Sequence, residues 1–408
     1  MLISSAGDPL DAWVRAERRL GQGTRDYSSR AADSDASPGY RPDSAAGSFR
    51  LPTRLVPPAA ARVLAPAARR GDLAAYQKPG HLVIPLHPDA YRALDRESRA
   101  AWDSWPEGPG ISAAPLANTR TVLALGNEQE PGMRRHFLKL HFPGTLSRFR
   151  RPLGEPEIAH HLMVARELEE SGFPVLSDLA GIVYHGGPGT PWGFLMRDPC
   201  QVLAPGSLVV PAFALYGRDR LRPSDPVLLR QLISLSGIGA EAYICEYLIR
   251  PAIRLWVQAA LSGGFLLAMH GQNVLYRASL PAGTGQVLYR GCSVYVDESL
   301  RGKQDFSAAG AHRKVIPSSG QRRSPAVRSL VYDSFLGHHL LDYIDRLATA
   351  DLGVAPGRLA AAGRDEYKRS GGRQIDMPPT VHYYRDDPAP RDDRETEIED
   401  TGVTPRWR

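Results

Sequence analysis

Residues 264–297 constrain the fold most, because they place four polar residues between short apolar runs. Residues 265–269 and 274–276 are apolar, and a turn containing Gly and Pro at 281–285 leads to another apolar run at 287–289, which Arg290 follows. Short apolar runs bounded by Gly and Pro are typical of strands in a meander. The polar tetrad at 270–273 is therefore expected in a loop between two strands.

The tetrad His270-Gly271-Gln272-Asn273 joins a titratable ring nitrogen to two side-chain amides, so donors and acceptors lie in one place. A loop held by a sheet is a common position for binding residues. The same four residues are also compatible with a plain turn, since Asn tolerates left-handed backbone angles. The tetrad alone leaves both interpretations open.

Composition favours a globular chain that binds an anion. The chain has 408 residues, 42% of them hydrophobic, a net charge of +6 and a pI of about 9.2. This charge suits a nucleotide or a polycarboxylate. Its arginines are scattered, without the basic stripe and interleaved aromatics of a nucleic-acid interface, so no nucleic-acid partner is expected.

Three cysteines, Cys200, Cys245 and Cys292, lack zinc-site spacing and fit a reducing compartment. The amino terminus has no signal-peptide pattern, and no apolar run is long enough to cross a membrane. We therefore expect a cytoplasmic protein without a membrane partner. Self-association is left open.

The periodicity predicts four regions. Residues 1–66 are rich in Ala, Ser, Arg, Asp, Gly and Pro, and we expect them to be disordered or loosely attached apart from a short helix near 10–20. Residues 67–235 form a first folded region and residues 236–350 a second one that contains the tetrad. Residues 351–408 are expected to be a polar tail.

Hydrophobic patterning places several elements inside the folded regions. Strands are predicted near 82–86, 121–125 and 137–142, the last two as a hairpin, and again on both sides of a Gly-rich loop within 182–197. Helices are predicted near 156–170, 226–235, 240–261 and 331–347, with Asp225 as an N-cap. Pro251 is expected to kink the third helix.

Basic residues gather around the predicted hairpin. Arg120 precedes its first strand, Lys139 lies in its second strand, and Ser147 and Arg151 follow eight and twelve residues after Lys139. Two arginines, a lysine and a hydroxyl on adjacent strands and loops can surround a triphosphate. Alternatively, Lys139 extends its ammonium group to water from an outward strand face, and spacing alone favours that interpretation.

Taken in order, these segments resemble the aerobactin-synthetase-like family of siderophore synthetases, which work independently of nonribosomal peptide synthetases. The family's Glu-x-His-x-Gln-Asn motif corresponds to residues 268–273, and its Arg-Asp pair corresponds to Arg290 and Gly291. Its Ser-x-Arg-Thr segment corresponds to residues 118–121. Its strand Lys and the Thr and Arg beyond it correspond to Lys139, Ser147 and Arg151.

Two further segments carry the resemblance, which spans residues 82–347. The strand ending at His87-Pro88 resembles the family's His-Pro strand end, and residues 193–197 resemble its later Arg-bearing strand. The resemblance implies an α/β (α+β) cradle-like synthetase fold, with a mixed or antiparallel sheet as its palm and packed helices around it. ATP would lie in the palm.

The activity implied by the resemblance is AMP-forming ligation. A carboxylate such as citrate becomes an acyl adenylate, and an amine or alcohol then displaces AMP. ATP and Mg are the implied cofactors, and siderophore or related natural-product biosynthesis is the implied setting. The implied catalytic residues are His270, Arg120 and Lys139. The implied cofactor-binding residues are Ser147, Arg151, Gln272, Asn273 and Arg290.

Departures from the family pattern leave a second function open. Ala268 and Gly291 stand where the family has acids, which would be candidates for binding magnesium, and Asn118 replaces a Ser. The family's upstream segment with Gly-His-Pro signatures is also absent. The chain is therefore either an active, diverged ligase or a catalytically impaired relative that binds nucleotide or carboxylate as a non-enzymatic partner.

Overall fold

The computed structural model describes residues 8–20, 34–126, 133–146, 149–280, 282–292, 294–302, 314–318, 324–385 and 397–408. Both helices and strands occur along these ranges. The strands are β1 Phe49–Leu51, β2 Thr53–Val56, β3 Ala61–Leu64, β4 Gln77–Lys78, β5 His81–Pro85, β6 Ile111–Pro115, β7 Thr121–Gly126, β8 His136–Leu140, β9 Phe142–Leu146, β10 Phe149–Arg151, β11 Val175–Leu176, β12 Ala180–Tyr184, β13 Trp192–Arg197, β14 Ser207–Pro211, β15 Phe265–Leu266, β16 Val274–Ser279, β17 Gly285–Arg290, β18 Tyr295–Asp297, β19 Val315–Ile316, β20 His382–Tyr384 and β21 Ile398–Asp400.

The helices surround these strands and form much of the larger core. They are α1 Pro9–Arg19, α2 Pro88–Ala93, α3 Arg96–Asp103, α4 Glu155–Glu170, α5 Phe213–Tyr216, α6 Leu228–Ser236, α7 Ala240–Ile244, α8 Arg250–Gly263, α9 Glu298–Arg301, α10 Ser324–Ser329, α11 Asp342–Asp351 and α12 Arg358–Arg369. Two π-helical segments, Cys245–Ile249 and Leu330–Leu341, continue α7 into α8 and α10 into α11.

Two sheets carry the architecture of the described residues. An antiparallel sheet has the order β1-β6-β7-β8-β13-β12-β3, and the predicted hairpin is confirmed as β7 and β8. A mixed sheet has the order β11-β17-β16-β14, with β11 parallel to β17. Helices packed with an antiparallel sheet and a mixed sheet confirm the α/β (α+β) fold class that the resemblance implied.

The amino-terminal region corrects one expectation. The helix near 10–20 is present as α1, which Asp8 caps by accepting the amide of Leu10 at 2.9 Å. However, β1, β2 and β3 lie at 49–64 and pair with other strands, so the prediction of disorder is wrong for these residues. Each of these strands is only three or four residues long, which leaves little periodicity to recognise.

Helix α1 lies where the two sheets meet. Its Leu10 and Trp13 share a small apolar core with side chains from both sheets, among them Phe137 of β8 and Leu288 of β17. Trp13 packs edge-on against Phe137, with 5.0 Å between ring centroids. Helix α1 is thus an integral part of the fold.

The carboxy-terminal region corrects a second expectation. Residues 351–408 include α12, β20 and β21, and Trp407 is only 2% exposed. Its indole nitrogen donates to Asp342 at 2.9 Å, and Arg408 forms two hydrogen bonds with Asp333. For the described residues 351–385 and 397–408, the prediction of a polar tail is wrong because these side chains find acidic partners on distant helices.

The predicted helices are present with local differences. Val227, not Asp225, is the N-cap of α6. Pro251 lies in the first turn of α8, directly after the π-helical turn 245–249, and this turn accommodates the missing proline N–H. No single described helix is long and apolar enough to cross a membrane. A membrane-spanning length and apolar composition are reached only when helix α6 is combined with the segment Ala240–Gly263. These two parts are bent by 107° where they meet.

Candidate functional site

Lys139 lies inside the antiparallel sheet, where β8 pairs with β7 and β13. Its side chain is buried, and its Nζ lies 3.4 Å from Nε2 of His161 on α4. Burial, followed by the nearby charge of Arg120, lowers the pKa of Lys139 well below its usual range. The structure therefore favours a cation facing the protein interior over a side chain that reaches water from an outward face.

A buried network of three residues lies beyond Lys139. Asp178 accepts a hydrogen bond from Nδ1 of His161 at 2.7 Å and pairs with the guanidinium of Arg197 at the end of β13. Burial alone would raise the pKa of Asp178, but Arg197 and then His161 hold it well below its usual range. Burial and then Lys139 lower the pKa of His161, so the imidazole is neutral. The ring lies between the carboxylate of Asp178 and the ammonium group of Lys139.

Arg120 and Arg151 lie next to this network. Nη1 of Arg120 donates to the backbone oxygen of Arg151 at 2.9 Å, and the guanidinium of Arg151 lies 5.0 Å from the ring centre of Phe149. Burial and then Arg120 lower the pKa of neighbouring His141 to about 4, which keeps that ring neutral. The structure thus places Arg120 near Lys139 and in contact with the backbone of Arg151, whose guanidinium lies over Phe149. Ser147 lies outside the described residues.

The tetrad forms a turn between β15 and β16, as predicted. The side-chain amide of Asn273 donates to the backbone oxygen of Ala268 at 3.0 Å, and the backbone N–H of Gln272 donates to Nδ1 of His270 at 3.3 Å. The Gly271 amide donates to the oxygen of His339 at 3.2 Å. Within the described residues, Nε2 of Gln272 is buried without a hydrogen-bond partner. A buried donor of this kind suits a ligand acceptor.

Arg290 has protein partners at all three guanidinium nitrogens. Nε donates to the oxygen of Gln272 at 3.0 Å, Nη2 donates to the same oxygen, and Nη1 pairs with Glu17 of α1. Arg290 is also buried. Its contacts favour support of the tetrad over the direct contact with ATP that the resemblance implied.

The pairing of β11 with β17 brings the cation group and the tetrad together. Leu176 lies opposite Arg290, and Asp178 follows two residues later. A Cβ placed on Gly291 would lie 3.4 Å from Nη2 of Arg197, and His160 bonds the oxygen of Val294 at 2.9 Å. The segment after β17 therefore borders the cation group. Gly291 has φ +99°, so an acid at this position would be strained.

Aromatic side chains line the other side of the tetrad. The ring of His270 lies 6.0 Å from that of Phe335, which lies 6.0 Å from Tyr384 of β20. Tyr384 in turn lies 5.1 Å from Phe149, which the guanidinium of Arg151 covers. The carboxy-terminal hairpin thus links the tetrad to the phosphate-binding candidates.

The described residues form no metal site made of protein ligands alone. Among them no group of three or more His, Cys, Asp or Glu converges on a common point. Asp178 is bound to Arg197. Asp297 caps α9 and pairs with Arg328 at 2.7 Å, so it does not replace the absent acids. We therefore assign no step to the metal.

Sequence reasoning missed Glu17, His161 and Asp178. His161 lies on the buried face of α4, and Asp178 interrupts the apolar stretch 175–184. A carboxylate within an apolar stretch is a usable signal, because buried acids are rarely left unpaired. Glu17 carries no comparable local signal, since α1 is rich in charged residues.

Comparison with known proteins finds solved structures of similar fold, whereas the sequence comparisons find no match. No family model matches the sequence, and no curated protein matches it. The aerobactin synthetase IucC from a hypervirulent pathotype of Klebsiella pneumoniae aligns with a TM-score of 0.66 at 18% identity, over 98% of this chain and 77% of IucC. ATP-bound IucA from the same pathotype gives 0.64 at 16% identity, over 94% and 76%.

The petrobactin biosynthesis protein AsbB from Bacillus anthracis str. Sterne aligns with a TM-score of 0.61 at 14% identity, over 83% of this chain and 64% of AsbB. This chain thus spans less than two thirds of AsbB. At these identities the likeness establishes the fold. The resemblance to siderophore synthetases is confirmed at that level, including the cradle-like architecture.

Proposed function

We propose that this chain, which has the fold of the aerobactin synthetases, is an ATP-dependent ligase that joins a carboxylate to an amine or alcohol. The observation that carries the proposal is the cation group of Lys139, Arg120, Arg151 and Arg197 beside the His270 turn. One solved structure with this fold, IucA, is ATP-bound. Siderophore or related natural-product biosynthesis is the proposed setting, with a polycarboxylate such as citrate as the acid.

The arrangement suits attack of a carboxylate on the α-phosphorus of ATP. Lys139, Arg120 and Arg151 would balance the negative charge on the phosphates, where low polarity strengthens each contact. The buried donor of Gln272 would bind a phosphate oxygen. His270, half-buried at the turn, would face the reacting carbonyl when the acceptor displaces AMP.

The test is release of AMP and pyrophosphate with a panel of polycarboxylates, with and without amines, alcohols and hydroxylamine. We expect acid-dependent release that Lys139→Met reduces by about 100-fold, which is about 2.7 kcal/mol of transition-state stabilisation. The matched control is Arg166→Gln, which removes an exposed cation from α4. Equal activity of Lys139→Met and wild type would contradict the proposal.

The second candidate is a non-enzymatic partner that binds nucleotide or carboxylate. It is favoured by Ala268 and Gly291 in place of acids and by the lack of a converging metal-ligand group in the described residues. This candidate predicts ATP binding that depends on Lys139 without AMP release for any acid. Turnover with citrate of about 1 per second or faster would exclude it.

A further inference from the structure

We propose that Glu17 on α1 is a positioning residue for the candidate site, which it orders through Arg290. The carboxylate of Glu17 pairs with Nη1 of Arg290, and the other two guanidinium nitrogens bind the backbone oxygen of Gln272. An acid near the start of the chain therefore fixes a turn more than 250 residues away. The expected effect of Glu17 on ATP binding rests on the proposed function. Its expected effect on the order of the turn at 271–274 does not.

Both partners of this ion pair are buried, since Glu17 is 2% exposed and Arg290 is 7% exposed. A buried pair stabilises a fold only if its remaining polar atoms are also bonded. Glu17 meets this condition: Oε1 accepts from the indole of Trp13 at 3.2 Å, and Oε2 accepts from the amide of Ala117 at 3.3 Å. The pair is therefore a fixed junction.

The contacts of Glu17 join three parts of the site. Trp13 belongs to α1, Ala117 precedes the turn that presents Arg120, and Arg290 ends β17. A single carboxylate thus fixes the turn carrying one cation relative to the strand that supports the tetrad. The negative charge of Glu17 also neutralises the positive charge of Arg290. The phosphate charges would then be neutralised by the cation group of Lys139, Arg120, Arg151 and Arg197.

The residue that follows Arg290 supplies no carboxylate, because it is Gly291. The resemblance places an acid directly after Arg290, but Gly291 has φ +99° and faces the guanidinium of Arg197. Glu17 supplies a carboxylate to Arg290 from another element instead. Residues 8–20 are therefore part of the support of the site, although residues 1–66 were expected to be disordered or loosely attached apart from a short helix.

Helix α1 offers a matched control on its exposed side. Asp8 and Asp11 both pair with Arg135, Asp11 at 2.7 Å, and the Asp11 side chain is 60% exposed. Asp11→Asn weakens attachment of the same helix without touching Arg290. An exposed pair of this kind contributes little to stability.

The experiment compares full-length wild type, Glu17→Gln, Glu17→Asp and Asp11→Asn. The first readout is hydrogen exchange of the amides at 271–274, and the second is the Kd for ATP by calorimetry. For Glu17→Gln we expect exchange at 271–274 about tenfold faster and ATP binding about tenfold weaker, equivalent to about 1.4 kcal/mol. Glu17→Asp should give an intermediate loss, and Asp11→Asn should stay within about twofold of wild type.

Equal effects of Glu17→Gln and Asp11→Asn would overturn the proposal, because they would show that only helix attachment matters. If Glu17→Gln does not fold, Glu17→Asp decides: unchanged exchange and affinity would overturn the proposal, and an intermediate loss in both would support it. If wild type does not bind ATP, the proposed function fails, while exchange at 271–274 still decides the role of Glu17.

Discussion

Replacing Lys139 with Met should stabilise the ligand-free protein while weakening its binding of ATP. The ammonium group is buried within the sheet, and burial followed by Arg120 lowers the pKa of Lys139. The folded state thus bears a cost for the charged form. Met keeps most of the apolar stem and removes that cost, so the ligand-free protein should become more stable. The same change removes a cation from the candidate phosphate site, so ATP should bind more weakly.

The two effects can be estimated separately. Replacing a whole buried ion pair with apolar groups of similar volume is neutral or stabilises by about 1–4 kcal/mol, so this range is the upper limit for the single charge of Lys139. The loss of the Nζ contact to Nε2 of His161, 3.4 Å away, offsets about 1 kcal/mol of this. Loss of a charge-assisted contact to phosphate costs about 1.5–3 kcal/mol of binding, or about 10- to 150-fold in Kd.

The pH dependence of the free energy of unfolding independently checks whether burial of the Lys139 charge destabilises the folded protein. Because the folded pKa of Lys139 is lowered, the folded chain loses this proton at a lower pH than the unfolded chain, whose pKa is about 10.4. Between these two pKa values the unfolded state binds more protons, so wild-type stability should rise with pH. Lys139→Met should lack this rise.

Urea unfolding at several pH values measures the stability difference, and calorimetry with ATP measures the binding difference. Arg166→Gln on α4 serves as the control for loss of one positive charge. A Lys139→Met variant that is less stable than wild type at neutral pH would refute the reasoning about burial. Unchanged ATP affinity would refute the place of Lys139 in the phosphate-binding group.

Three further predictions concern other contacts. Asp178→Asn should reduce the free energy of unfolding by about 3–5 kcal/mol, since it leaves Arg197 buried without its carboxylate; a loss below about 1 kcal/mol in urea unfolding would contradict this. Gln272→Ala should weaken ATP binding about tenfold with little change in stability, because its Nε2 has no partner in the described chain; a large stability loss with unchanged Kd would be inconsistent. Trp407→Ala should destabilise by about 3–5 kcal/mol, because its ring fills space against Gly363 and Gly337; unfolding at an unchanged urea midpoint would disprove that packing.

Local patterns were sufficient for several elements around the candidate site. Apolar runs bounded by Gly and Pro predicted the strands around the tetrad, and the turn lies where the sequence placed it. Helical periodicity likewise predicted α4 and α8. These features follow from neighbouring residues, since a strand or helix face repeats every few positions.

Only the tertiary structure decided which side chains meet in the site. Glu17 and Arg290 are separated by 273 positions, and Asp178 reaches Arg197 and His161 from a different element. Such pairs depend on how sheets and helices pack, which no local period reports. The amino-terminal strands were missed for the same reason: segments of only three or four residues become strands because neighbouring strands supply their hydrogen-bond partners.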